Sequence, residues 1–406
     1  MEALRSQLPP KFDALDPAVL EDPYPTYARL RRAGPLCRAG PGRWMVTRYA
    51  DVAALLADAR LGNRLADDGR PVSTFGFGPA GMLMQRMLSG REPPDHTRLR
   101  QLMNTAFNPK LIRRLRAQIS DLVDELLTPA LDCGRFDAVT DLAFPLQASV
   151  VSELVGIPSR DRNKVWPEAM HLGRHFIPYG LPSPEQAAAA DQMATRLREY
   201  VAGLLEERRG APRDDLISRM RAAAEDRGEV TTEDVIDNLV FLCFSGFETT
   251  INVIATACVV FLQHPDELAR LRTDRSLMST AVEELLRYDA PAQYTLRITQ
   301  KPIEIGDRTI KQGRMVLLSL GSANRDEHRF TDPERFDIGR YPNPHVSFGG
   351  GIHHCLGWAL ARMEVETVLR ALLDRFATFE PAGEAVRLPH PNFRAHTSVP
   401  VSVRPA

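Results

Sequence analysis

Along most of this chain apolar residues recur every three or four positions, the period of a helix that buries one face. The pattern predicts helices over 25–32, 98–107, 110–127, 186–209, 232–263, 265–272, 278–288 and 358–375. Two carry start signals: Thr232 precedes Glu233 and Asp234, and Pro265 precedes Asp266 and Glu267. Acidic side chains suit the positive end of a helix, and proline suits its first turn. Period-two alternation is rarer and shorter. It predicts strands over 43–48, 315–320 and 398–403, and a hairpin of 303–305 with 308–310 turning at Gly306-Asp307. The expectation is a mainly α fold with small β-sheets (α+β). No Gly/Ser-rich linker, low-complexity block or internal repeat divides the chain, so residues 1–406 read as one large domain. Three stretches interrupt the periodicity: 69–90, 175–184 with four helix-breaking residues, and 211–214. Long irregular stretches in a compact domain are often lids or binding loops.

Composition narrows the function. The 406 residues are 44% hydrophobic, enough for a substantial core, and carry a formal net charge of −1. That balance argues against nucleic-acid binding driven by overall charge. The first residues, MEALRSQLPPKFDAL, lack the charged and apolar regions of a signal peptide. The best apolar run, 251–262, is interrupted by Asn252 and Thr256, so no membrane helix is expected and a cytoplasmic location follows. The five cysteines (Cys37, Cys133, Cys243, Cys258, Cys355) are far apart and show no zinc spacing. Four read as reduced structural residues.

Cys355 differs. It lies in Phe348-Gly349-Gly350-Gly351-Ile352-His353-His354-Cys355-Leu356-Gly357, immediately before a helical pattern. A thiolate at a helix mouth is stabilised by the helix dipole and by free backbone N–H groups. A sulfur kept ionised in this way suits metal ligation, and haem iron with an axial thiolate is one such use. Three further patterns stand out. Glu284 and Arg287 share one helical face and can pair, although on its own such a pair is most simply a surface ion pair of little worth. Ser245-Gly246-Phe247-Glu248-Thr249-Thr250 puts poor helix formers inside a helix, either as a packing accommodation or as a local distortion with a purpose. His96 and Arg100 lie four apart after Pro93-Pro94, on one basic helical face.

In combination, and in this order, these motifs closely resemble the cytochrome P450 family, in its soluble bacterial branch. The resemblance runs from Asp22-Pro23-Tyr24-Pro25 to Pro400. It implies haem b (iron protoporphyrin IX) with Cys355 as the fifth iron ligand. Phe348, Gly349 and Gly357 would frame the ligand loop. His96, Arg100, Arg297 and His353 would hold the two propionates through charge-assisted hydrogen bonds. Glu284, Arg287 and Arg335 would form a buried Glu-Arg-Arg support. Glu248 and Thr249 would relay protons to dioxygen, because O–O cleavage consumes them; Ser245 stands where the family commonly has a small apolar residue. The implied activity is a monooxygenase that inserts one atom of O2 into a medium or large, mostly apolar molecule, by hydroxylation or epoxidation.

Position within the family assigns substrate contacts to Met82, Leu88, Phe176, Phe241, Phe244, Ser245, Gln293, Thr295 and Phe393. No flavin or iron–sulfur motif is present, so electrons are expected from a ferredoxin and its NAD(P)H-dependent reductase. These would dock near Arg113, Arg114, Arg116 and Arg362, and a monomer is expected. Two rival classes are a haem-binding protein without turnover and a peroxide-driven peroxygenase; the paired Glu248 and Thr249 argue against both. The run Gly76-Phe77-Gly78-Pro79-Ala80-Gly81 fits GxGxxG but lacks a convincing preceding strand, so it reads as a loop over the substrate rather than a dinucleotide site.

Overall fold

The computed structural model describes residues 9–63, 78–104, 109–175, 183–228 and 230–406. Helices dominate them. Twelve short strands occur among the described residues: β1 (Leu36–Arg38), β2 (Arg43–Val46), β3 (Leu61–Gly62), β4 (Arg135–Asp137), β5 (Tyr294–Thr299), β6 (Ile303–Ile305), β7 (Arg308–Ile310), β8 (Met315–Ser319), β9 (Phe376–Pro381), β10 (Val386–Leu388), β11 (Ala395–Ser398) and β12 (Pro400–Pro405). The mainly α fold with small sheets is therefore as expected. The described residues gather into two compact units. One takes its residues from Met1–Arg70, Ala255–Cys355 and Glu384–Val399; the other from Pro71–Ile254, Leu356–Gly383 and Pro400–Ala406.

The first unit holds a five-stranded sheet in the order β1-β2-β8-β5-β3. Only β2 and β8 run parallel, with Arg43 opposite Met315 and Val46 opposite Leu318. Its core joins Leu36, Val46, Val316 and Leu318 of this sheet to Val52 and Leu56 of the helix Tyr49–Leu56. Fully burying each such aliphatic side chain is worth about 1.5–3 kcal/mol. The expected hairpin is β6–β7, and Gly306 takes the positive φ of +60° that its turn demands.

The second unit is helical, with a three-stranded sheet in the order β4-β12-β9. Helix Pro109–Cys133 packs on Phe144–Val155 and on Trp358–Arg375, where Arg375 bonds Asp124 at 2.7 Å. Helix Pro184–Gly210 packs on Pro79–Arg86, Arg162–His175 and Thr232–Ser245. It opens with a capping box of Ser183 and Gln186.

Three expectations change. The cap of the helix expected from Thr232 lies one residue earlier: Thr231 is the cap, in a reciprocal box with Asp234. The strand expected over 398–403 is two strands, β11 and β12, in different sheets with Val399 between them. Alternation cannot reveal that, because it continues through the break. The helix expected over 232–263 is two helices, Thr232–Ser245 and Glu248–Gln263. By length and hydropathy, Ala138–Val155 and Thr232–Gln263 could each cross a bilayer, but 67% and 78% of those windows are buried inside the protein, as in core helices.

Candidate active site

The Cys355 loop is built by close approach. Gly349 and Gly351 have φ of +69° and +63°, a region side-chain-bearing residues avoid. A Cβ on Gly351 would stand 2.5 Å from the Leu56 carbonyl oxygen, so only glycine lets the loop lie against the end of helix Tyr49–Leu56. The Cys355 N–H donates to the Phe348 carbonyl at 2.9 Å, which closes the loop. Gly357 then caps helix Trp358–Arg375, and the space beside its Cα is open. Cys355 is half-buried. By contrast, burial pushes the thiols of Cys37 and Cys243 up to about 12, which keeps them protonated and unsuited to a metal. His353 sits in the loop's single 3-10 turn, its Nε2 3.3 Å from Asn63 Nδ2.

A buried ion network supports this loop. Glu284 and Arg287 are fully buried on helix Met278–Tyr288 and pair in bidentate fashion at 2.7 and 2.8 Å. A lone buried charge is costly, so the remaining lone pairs must be filled. Arg340 Nε donates to both Glu284 oxygens at 3.1 Å, Asn343 Nδ2 at 3.0 Å and the Asp337 N–H at 3.0 Å. The second cation is thus Arg340 and not the expected Arg335. Arg335 gives only its backbone carbonyl, to Arg287 Nη2, while its side chain is exposed. Arg287 also donates to the Asn324 carbonyl, and the Asn324 side chain bonds Ser347 and the Val346 N–H. The network therefore reaches the start of the cysteine loop. Asn324 and Arg340 had no short-range sequence signal.

The second unit carries the broken helix. Around Gly246-Phe247 the backbone bonds stretch to 3.3–3.4 Å. Thr249 Oγ1 donates to the Ser245 carbonyl at 3.2 Å, and Thr250 Oγ1 to that of Gly246 at 3.4 Å. Threonine hydroxyls thus bond carbonyls on the preceding turn, which bends helices. Phe247 is clamped, stacked on Trp166 at 4.8 Å and edge-on to Phe144 at 5.5 Å. Glu248 is buried, and Arg174 Nε donates to its Oε1 at 2.7 Å. Desolvation raises the Glu248 carboxyl above its ordinary range; the Arg174 guanidinium works against that rise. Arg174 comes from the last turn of helix Arg162–His175, 74 residues away, and sequence reasoning missed it.

The candidate propionate partners divide between the units. His96, buried on helix Asp95–Asn104, is held below the usual histidine range by desolvation and by nearby Arg100. Arg297 lies buried on β5, its Nη1 bonded to Thr295 Oγ1 and to the Leu296 carbonyl. Among the candidate substrate residues, Phe241 and Phe244 meet edge-on at 5.7 Å, and Leu88 is buried. Met82 lines a cavity of about 290 Å³ with Leu83, Arg86, Arg198 and Ile236. Thr295 supports Arg297. Gln293 is a correction: its Nε2 bonds the Ala290 carbonyl and Tyr24 Oη, so its side chain serves the interior of the first unit. Phe176 lies outside the described residues. Among the arginines expected to meet a redox partner, Arg113 and Arg116 are exposed, Arg114 is taken up by Asp214 at 2.6 Å, and Arg362 lies 5.0 Å over the Trp358 ring. The GxGxxG run is no nucleotide site. Gly76 and Phe77 lie outside the described residues. Gly78 caps helix Pro79–Arg86, and the Asp191 carboxylate accepts from the Ala80 N–H, occupying with negative charge the place a phosphate would need.

A half-buried thiol in a glycine-framed loop that leads into a helix, with His353 in the same loop, suits an iron porphyrin; among the described residues no cluster of three or more metal-ligating side chains occurs. Such a loop fits a haem-thiolate protein. The cytochrome P450 family model matches residues 80–399, and the chain belongs to the cytochrome P450 family. It is 36% identical to cytochrome P450 monooxygenase PikC of Streptomyces venezuelae, over 98% of this chain and 95% of that protein. It is 35% identical to 6-deoxyerythronolide B hydroxylase of Saccharopolyspora erythraea, over 87% and 89%. Among solved structures it resembles P450BioI in complex with hexadec-9Z-enoic acid ligated acyl carrier protein, at a TM-score of 0.89 and 35% identity, covering 95% of this chain and all of that one. The chain is a cytochrome P450 monooxygenase whose cofactor is haem.

Proposed function

We propose that this monooxygenase hydroxylates or epoxidises a medium or large, mostly apolar intermediate of specialised metabolism, in the cytoplasm, with electrons from a ferredoxin and its NAD(P)H-dependent reductase. The observation that carries the reading is the carboxyl–hydroxyl pair of a buried Glu248 and a half-buried Thr249, beside a helix break fixed by the Phe247 clamp. Cys355 would hold haem iron as its thiolate, and the haem would supply dioxygen binding and O–O cleavage. One oxygen atom goes to the substrate and the other leaves as water, which consumes two electrons and two protons. The chain's own part is to bring those protons. Arg174 keeps the Glu248 carboxylate oriented, and burial keeps its proton affinity high enough to pass a proton on. Thr249 Oγ1 is the hydroxyl that hands protons onward. His96, Arg100, Arg297 and His353 would hold the propionates. Phe241, Phe244, Leu88 and Phe393 are the apolar residues we assign to the substrate, in keeping with the macrolactone for which one relative, 6-deoxyerythronolide B hydroxylase, is named. Residues 1–406 act as one haem domain; each compact unit draws on three separate stretches of chain, so neither is a continuous segment, which supports this.

The test is NADPH consumption with a ferredoxin and its reductase in the presence of macrolactones, steroids or fatty acids. Matching product formation supports the reading. Product from hydrogen peroxide alone, with none from the reductase system, makes the chain a peroxygenase. Because P450BioI is solved with an acyl carrier protein, free and carrier-ligated fatty acids are compared side by side; turnover of the ligated acid only would move the substrate to a carrier-bound acyl chain.

A further inference from the structure

The turn between β10 and β11, Pro389-His390-Pro391-Asn392-Phe393-Arg394, is unusually well tied. Prolines on both sides of His390 restrict its backbone, and a residue before proline is pushed to extended conformations. The turn is stapled to the start of β5. The Gln293 N–H donates to the Asn392 carbonyl at 2.8 Å, the Tyr294 N–H to Asn392 Oδ1 at 2.9 Å, and the Arg394 N–H to the Pro291 carbonyl at 3.0 Å. Phe393 also bridges to Ala292. Within it, His390 Nδ1 accepts from the N–H groups of both Asn392 (3.2 Å) and Phe393 (2.9 Å). A ring nitrogen that accepts carries no proton, so the imidazole is the neutral Nε2–H tautomer. The same ring stacks on Phe393, centroids 4.9 Å apart and planes 18° apart.

We propose that His390 is a positioning residue for substrate selection: it fixes the Phe393 ring from two directions and so sets the aromatic face offered to the substrate. The proposal rests on the reading that Phe393 lines the substrate pocket. Nδ1 holds the backbone on which Phe393 rides, and the imidazole face limits rotation of its ring. Loss of His390 leaves Phe393 present but unfixed, which costs ordering when a bulky ligand packs against it.

Two iron-binding probes separate the possibilities, both read by the Soret shift of the holoenzyme. Imidazole is the small probe, which binds iron alone, whereas clotrimazole carries three aryl rings beyond its imidazole that need room in the substrate pocket. Aromatic contacts are worth enough that Phe393→Ala weakens clotrimazole about 2- to 12-fold and leaves imidazole unchanged. His390→Ala weakens clotrimazole within that same range. His390→Asn, whose side-chain oxygen can accept from the N–H groups two and three residues on but which lacks the stacked ring, recovers part of that loss and not all of it. Clotrimazole affinity equal to wild type in His390→Ala, with loss in Phe393→Ala, overturns the proposal. Equal affinities in Phe393→Ala instead overturn the reading of Phe393 as a lining residue. Weakening of imidazole and clotrimazole alike in His390→Ala would mark a merely structural role and also overturn it. Should His390→Ala fail to hold haem, His390→Phe decides: it keeps a ring but no acceptor, and wild-type clotrimazole affinity there contradicts the assignment.

Discussion

At the residue scale the chain is governed by how few groups can be buried with charge. Glu284 is tolerated because Arg287, Arg340, Asn343 and a backbone N–H together satisfy it. Arg287→Ala strands that carboxylate and is expected to cost about 3–5 kcal/mol. Arg340→Ala removes a charged hydrogen-bonding partner and should cost about 1.5–3 kcal/mol. Arg335→Ala, at an exposed side chain, should stay within about 0.5 kcal/mol. Chemical denaturation ranks the three, and a loss at Arg335 equal to that at Arg340 contradicts the network as described. Glu248 offers a kinetic counterpart. Glu248→Gln should cut coupled turnover by about 100-fold or more. In Arg174→Gln the lowering influence on an already raised carboxyl is gone, so the pH at which turnover tracks Glu248 ionisation moves upward. A pH–rate profile unchanged from wild type would separate Arg174 from the reaction.

At the scale of elements, the helix break and helix Trp358–Arg375 carry the predictions. Gly246 has an ordinary φ of −87°, and an added Cβ would make only a normal contact with the Leu242 carbonyl. Gly246→Ala should therefore fold normally, gaining up to about 1 kcal/mol of helix propensity. It should nonetheless consume NADPH with less product, because it fills space at the break; unchanged coupling would show the break to be packing alone. In helix Trp358–Arg375, Glu364 is fully buried beside Gln147, and burial pushes its carboxyl up to about 8. Its proton is bound more tightly in the folded chain than in the unfolded one. Stability from this group is full below the ordinary glutamate range, falls as pH rises toward about 8 and is level above it. Glu364→Gln should flatten that decline, so thermal melting of the two proteins should diverge between the ordinary glutamate range and about 8. Parallel curves would place an ionised partner at this site.

At the scale of the whole molecule, helices and the β6–β7 hairpin were legible because periodicity and turn chemistry act over a few residues. Site geometry was legible where it too is local: the glycine-framed loop of Cys355 and the Glu284–Arg287 pair. What escaped was everything set by chain segments meeting from afar. Arg174 on Glu248, Arg340 in place of Arg335, and Gln293 turned inward are decided by tertiary packing, which no short window encodes. The family assignment gives the oxidant, while the substrate is set by lining residues, among which we place Phe393, and their placement is again tertiary. The central claim is that Cys355 is the iron ligand. It is tested most directly by the spectrum of the reduced, carbon monoxide-bound protein, compared between wild type and Cys355→Ser. Wild type should show the red-shifted Soret band of thiolate-ligated haem, and the variant should lose it; the same band persisting in Cys355→Ser would contradict the assignment.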